Sequence, residues 1–98
     1  MATIRSNQRD AVSHIQNRED FLAASLAGHF PSSGLTGRLN AAEAAEFEQD
    51  FLSMSYVVMS YGTPIAWEWD GGWHVVEQKF SVTTSKHQSI VRRALAGL

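Results

Sequence analysis

Apolar residues along this chain recur at helical spacing near its start, its middle and its end, and alternate at strand spacing between the last two. Over residues 7–16, Ala11, Val12 and Ile15 share a helical face, with Asn7 placed to cap and Asp10 in the first turn. Asn17, with Asp20 three residues on, can open a further turn. Phe21, Leu22 and Leu26 suit a helix, yet 25–30 reads equally well as a strand, and Pro31-Ser-Ser-Gly34 is a loop. Residues 35–39 can pair back as a short strand. The pattern thus leaves 25–39 open between a hairpin and a helix followed by a loop.

Residues 40–54 predict the clearest helix of the first half. Asn40 and Glu43 form an Asn-x-x-Glu capping pattern, and Ala44, Phe47, Phe51 and Met54 make a buried stripe. Glu43, Glu46 and Asp50 lie on a neighbouring stripe that reads as a solvated face. Strands are expected at 56–61, 65–69 and 73–78, with Gly62-Thr63-Pro64 turning the chain between the first two. Pro64 lacks an amide hydrogen and belongs at a strand start or edge. Along the second strand Ile65, Trp67 and Trp69 alternate with Ala66 and Glu68.

A three-residue loop, Asp70-Gly71-Gly72, would pair Trp69 with Trp73 and Trp67 with Val75, gathering Ile65, Trp67, Trp69, Trp73 and Val75 on one side. A two-residue loop would put Trp73 on the opposite face, and the three-residue register is favoured here. From about Ser85 onward, Ile90, Val91, Ala94, Leu95 and Leu98 define the apolar face of a last helix, with Lys86, Ser89, Arg92 and Arg93 on the other. Ser85 with Gln88 forms a Ser-x-x-Gln capping box, although Thr84 can cap instead. The expected architecture is α+β: N-terminal helical or irregular material, a central acidic helix, a three-stranded antiparallel meander, and a C-terminal helix packed on it.

Composition narrows the class. Ninety-eight residues with 44% hydrophobic and 18% charged side chains make one globular domain, 1–98, in which 1–16 can form a loosely packed extension. With no cysteine, the core must hold by packing alone, and thiol chemistry and cysteine zinc sites are excluded. The first thirty residues contain no run apolar enough for a signal peptide or membrane span, which points to a cytoplasmic protein with no membrane association. A net charge of −2 argues against a general nucleic-acid binder. Acidic residues cluster mid-chain, whereas Lys79, Lys86, Arg92 and Arg93 fall near the C-terminus.

The segments Ser60-Tyr-Gly-Thr-Pro-Ile-Ala-Trp67, Gly72-Trp73 and Phe80-Ser-Val-Thr-Thr-Ser-Lys-His-Gln88 carry a resemblance. Together they are similar to a family of small uncharacterised domains found in actinobacterial phages, mycobacteriophages in particular, and in actinobacterial genomes. The shared pattern runs through Tyr56, Val58, Ser60, Tyr61, Thr63, Pro64, Ile65, Ala66 and Trp67, then Gly72 and Trp73. It continues in Phe80, Ser81, Thr83, Thr84, Ser85, Lys86, His87 and Gln88, with Phe80 and Lys86 where tyrosine and arginine are common in the family. The resemblance implies a phage protein acting in the cytoplasm of a bacterial host, and it brings no activity with it.

The hydroxyl-rich approach to the last helix is the leading candidate site for chemistry. Ser81, Thr83, Thr84 and Ser85 offer hydroxyl donors, and Lys86 and His87 positive charge, for an anion at a helix N-terminus. The plain alternative is capping, with Lys86 in water. His87 falls on the apolar side of the helix, so it is expected to pack inward and bond Ser60, Tyr61 or Thr63. His14, His29, His74 and His87 lack metal-binding spacing, so no metal or cofactor is expected. Ser60, His87 and an acid such as Asp70 can be combined into a triad, as in any small domain, but no nucleophile motif surrounds them.

The expected function is non-enzymatic: binding of a host or phage protein, or of a second copy of the chain, through Tyr61, Thr63, Trp69, Trp73, Lys86 and Arg93. The alternatives are a nucleic-acid or phosphate-ligand binder using residues 81–87 with Arg92 and Arg93, and a small hydrolase or transferase around His87.

Overall fold

Two tight turns decide how the second half of the chain is registered. Tyr61-Gly62 (φ 51° and 78°) and Asp70-Gly71 (φ 44° and 85°) each place two consecutive residues in the left-handed region. This is the two-residue hairpin geometry whose twist matches the flanking strands. The computed structural model describes residues 3–32 and 34–98. Its elements are β1 (Ile4–Arg5), α1 (Ala11–Gln16), β2 (Phe21–Ala23), β3 (Leu26–His29), α2 (Ala41–Asp50), a 3-10 turn (Phe51–Ser53), β4 (Met54–Ser60), β5 (Thr63–Trp69), β6 (Gly72–Val75) and α3 (Val82–Ala96).

The α+β class holds, but the sheet is larger than a three-stranded meander. Six strands lie in the order β1-β2-β3-β4-β5-β6; β1 is parallel to β2 and each later neighbour is antiparallel. The added strands come from the ambiguous N-terminal third. Phe21 and Leu22 are strand, not helix, and the hairpin is β2–β3, turning at Ala24 (φ 56°). Residues 35–39 form no strand. Leu26–His29 is short and weakly patterned, and it becomes a strand because it pairs with Val57–Ser60, some thirty residues away.

The N-terminal segment is not a loose extension. Ala11 and Ile15 are fully buried, and Ile4 and Arg5 pair with Phe21 and Leu22. The first helix is shorter than 7–16, because Asn7 caps the turn ahead of it by accepting from Asp10 N at 3.0 Å.

The Asp70-Gly71 turn overturns the expected register. Trp69 pairs with Gly72, Glu68 with Trp73, and Trp67 with His74, so Trp73 lies on the face opposite Trp67 and Trp69. Two bulges adjust the alternation further. The register skips Ser55 opposite Trp69–Glu68 and Ile65 opposite Val58–Met59. Ile65 consequently joins Ala66 rather than Trp67.

Each face has its own core. On one side α1 and α3 cover Phe21, Leu26, Tyr56, Val58, Ile65 and Ala66, with Trp73 and Val75 packed at the margin. On the other, α2 covers Met54, Val57, Trp67 and Val76 with Phe47. Gly28 is required where Tyr56 crosses β3: a Cβ there would collide with the Tyr56 hydroxyl and the Phe21 ring. The hydroxyl passes over it to donate to Glu19 O at 2.6 Å.

The acidic helix also departs from its solvated reading. Asn40 caps as expected, accepting from Glu43 N at 2.9 Å. Glu43, however, does not close the capping box: its carboxylate meets His74 Nε2 at 2.7 Å and accepts from Glu77 N at 3.2 Å. Asp50 is 4% exposed and accepts from the Trp67 indole Nε1 at 2.9 Å. The α-helix ends at Asp50 and finishes in the 3-10 turn, short of the predicted 54.

Candidate functional site

The β4–β5 turn, the loop ahead of α2 and the chain leading into α3 enclose a cleft of about 590 Å³. Arg38 comes from the loop, Ser60, Tyr61 and Thr63 from the turn, and Gln78, Lys79, Phe80, Ser81 and Thr84 from the approach to α3. The volume falls within the range of small-molecule sites.

The start of α3 sets the hydroxyl side of the cleft. Ser81, not Ser85 or Thr84, is the N-cap: its backbone is extended (φ −69°, ψ 167°), and its Oγ accepts from Thr84 N at 3.2 Å. Starting the helix at Val82 places Thr84, His87, Gln88 and Val91 on one buried face. Gln88, expected to close a capping box, instead donates to Val76 O at 3.0 Å and Gln78 O at 3.1 Å. The irregular chain after β6 is tied down by these bonds. Gln78 in turn accepts from Asn40 N at 2.7 Å and donates to Arg38 O at 2.9 Å, which positions the loop carrying Arg38.

His87 turns inward, fully buried, with Nδ1 2.7 Å from Ser60 Oγ. The Tyr61 ring stacks near it at 6.1 Å between centroids. Nε2 lies 3.0 Å from the amide nitrogen of Gln8, which reaches in from the segment before α1. Burial lowers the pKa of His87, because desolvation penalises the imidazolium. An amide nitrogen can only donate, so Nε2 accepts and the neutral ring carries its proton on Nδ1. Ser60 therefore receives a hydrogen bond from the imidazole, the reverse of what a serine nucleophile needs. Ser60 is 1% exposed, and Thr84 Oγ1 lies 3.1 Å from its Oγ.

The structure brings together some residues that the sequence suggests for different roles. Tyr61 and Thr63, from the proposed protein-binding set, meet Ser81 and Thr84, from the anion-binding set. Thr83, Ser85 and Lys86 share the first turns of α3 but do not line the cleft; nor do Arg92 and Arg93, which are exposed toward its other end. Asp70 sits in the opposite turn of β5, away from Ser60 and His87. Trp69 is half-buried on the α2 face. Trp73 packs edge-on to Tyr56 (6.2 Å) beneath the Arg18 guanidinium (5.7 Å), and its Nε1 is buried without a hydrogen-bond partner.

Arg38, Gln78 and Lys79 were not legible as site residues. Arg38 sits in a turn and Gln78 and Lys79 in the irregular chain after β6, and only the packing of the loop against the α3 approach assembles them. A second, smaller hollow of about 240 Å³, near His29, Leu35, Phe47 and Met59, is largely apolar. Among the described residues, no three His, Cys, Asp or Glu side chains group as metal ligands, and no helix is long and apolar enough to cross a membrane.

Fold and site together define a small α+β domain with a hydroxyl-lined, cation-rimmed cleft at one end of its sheet. A family model described as a family of unknown function (DUF8033) matches residues 11–93, and the chain belongs to that family of uncharacterised domains. No curated protein and no solved structure matches the chain.

Proposed function

We propose that this protein is a non-enzymatic binding protein whose recognition site is the cleft beneath the Tyr61-Gly62 turn, and that its ligand carries negative charge. One observation carries this reading. The ionisable side chains lining the cleft, Tyr61 apart, are Arg38 and Lys79, with no carboxylate among them, in a chain whose net charge is −2. A concave site lined by cations concentrates anions by its local field, whatever the overall charge.

The cleft replaces the tryptophan-bearing sheet face as the preferred docking surface. Trp67 is fully buried, and Trp69 and Trp73 lie on opposite faces, so they form no common patch. A protein partner remains a second reading. Phe30, Leu35 and Tyr61 are 67%, 72% and 63% exposed and offer apolar area for one. The Ser60–His87 bond, donated by the imidazole, supports a structural role for the pair and hence a non-enzymatic reading. The motif resemblance supports an origin in actinobacterial phages, with action in the host cytoplasm.

Titration with pyrophosphate, followed by backbone NMR, tests the site. Shifts are expected at Arg38, Thr63, Lys79 and Ser81, weakening as salt rises and vanishing in Arg38→Ala/Lys79→Ala. Binding that survives the double substitution, or shifts centred on Lys86, Arg92 and Arg93, would refute it.

A further inference from the structure

We infer that the anionic group this cleft takes is a phosphate monoester on a flat ring, as in an aryl phosphate or a nucleoside monophosphate. The inference rests on the cleft reading above and names its ligand class. It comes from following the protons of the buried hydroxyls.

The chain of donors begins outside the cleft. Gln8 Nε2 donates to His87 Nε2, and His87 Nδ1 donates to Ser60 Oγ. Ser60 Oγ and Thr84 Oγ1 share a single hydrogen bond at 3.1 Å, which either hydroxyl can donate. Ser81 Oγ donates to the same Thr84 oxygen at 3.3 Å. One hydroxyl proton of the Ser60–Thr84 pair therefore has no acceptor left within the cluster, and both residues line the cleft. Thr63 repeats the pattern from the opposite wall: its Oγ1 accepts from Arg38 N at 3.0 Å, which leaves its proton to give. Both threonines line the cleft and are 5% and 3% exposed, so bulk water reaches little of either.

A buried donor without an acceptor is unfavourable, and a ligand rich in acceptors removes that cost. Arg38 and Lys79 line the same cleft, and their side chains have donors and no acceptors. The polar lining is thus weighted to donors and carries two positive charges. A phosphate monoester supplies three terminal acceptor oxygens and approaches two negative charges at neutral pH, whereas a single carboxylate supplies two oxygens and one charge. Tyr61 and Phe80 contribute ring surface to the same cleft, suited to stacking a flat organic group beside the phosphate.

The test is calorimetric titration of the full chain with a nucleoside 5′-monophosphate, phenyl phosphate, the unphosphorylated nucleoside, and phthalate, a dicarboxylate of matching charge. At least one phosphate ester should bind at least about tenfold more tightly than phthalate, a difference of one decade in Kd. Comparing the two esters identifies which ring is preferred. The nucleoside alone should not bind measurably. Thr63→Val and Thr84→Val should each weaken ester binding by about tenfold or more, as expected for a lost hydrogen bond to a charged group. Thr63→Ser and Thr84→Ser keep the hydroxyl and should keep the affinity, so the result does not depend on the valine variants folding.

Equal affinity for phthalate and the esters would overturn the phosphate inference and leave the anion cleft standing. Serine variants as impaired as the valine variants would also overturn it. Failure of every anion to bind would overturn both readings.

Discussion

The two faces of the sheet handle buried polar groups in opposite ways. Under α2 the groups are carboxylic side chains: Asp50 accepts from Trp67, and both Glu43 oxygens are occupied, one by His74, whose ring stacks on Trp67 at 4.5 Å. Under α1 and α3 the central tie is neutral, running from Gln8 through His87 and Ser60 to Thr84. A carboxylate takes up every donor nearby, whereas a chain of hydroxyls passes its donor capacity along to an end. That end opens on the cleft. The difference teaches where a ligand can act: beside the network that still has a proton to give.

The largest effect that can break this comparison is on stability. Trp67→Ala should cost about 3–5 kcal/mol in urea unfolding, as for a large side chain removed from a closed core. Trp73→Ala, at the margin of the other face, should cost about 1–2 kcal/mol. Equal losses would mean that the two tryptophans share one environment and that the Asp70-Gly71 register is wrong.

Asp50→Ala comes next, at about 1–3 kcal/mol, since it leaves a buried indole donor unsatisfied. The change should also alter tryptophan fluorescence; an unaltered spectrum together with unaltered stability would remove Asp50 from the core of the α2 face. Gly28→Ala should be destabilising by a similar or smaller amount, about 1–3 kcal/mol, because the added methyl meets the Tyr56 hydroxyl. Tyr56→Phe in that background should restore part of the loss, and no rescue would show that the collision is not what matters.

The smallest expected effect is a pH dependence with two separate sources on the α1 and α3 face. The native state holds His87 below the ordinary histidine value of 6.5, because burial disfavours its charged form. The unfolded chain therefore binds the proton more readily: stability is full above pH 6.5 and declines as pH falls from there toward the lowered native value. Glu68 is held below its usual 4.5, chiefly by its hydrogen bond from Arg18, so its contribution is present above that value and is lost only further into acid. His87→Gln should flatten the first decline and leave the second. A variant that keeps the decline below pH 6.5 would assign it to another histidine.

Much of the local architecture was legible in the chain. The Asn40 cap, the stripe through Phe47, the existence of both later hairpins and the inward turn of His87 each follow from residues a few positions apart. Ser85 and Thr84 were recognisable as competitors for one cap, whereas Ser81, which takes it, was read only as a hydroxyl donor. All three hydroxyls can accept from a helix amide. What selects Ser81 is the burial of Thr84, His87 and Gln88 against β4 and the chain after β6. The cleft was half visible: Tyr61, Thr63, Ser81 and Thr84 stood out, whereas Arg38 and Lys79 enter it through the packing of two irregular segments.

Taken alone, the sequence determines that this is an α+β domain with a capped acidic helix, tight glycine turns and an amphipathic final helix. These depend on short-range backbone preferences and on periodicity. Only the tertiary structure decides that Asp50 is buried, that Trp73 lies across the sheet from Trp67, that Leu26–His29 is a strand, and that Arg38, Thr63, Lys79 and Thr84 line one cleft. Each depends on a partner distant in the chain, and a charge, a register or a hydrogen bond is settled by the partner it meets.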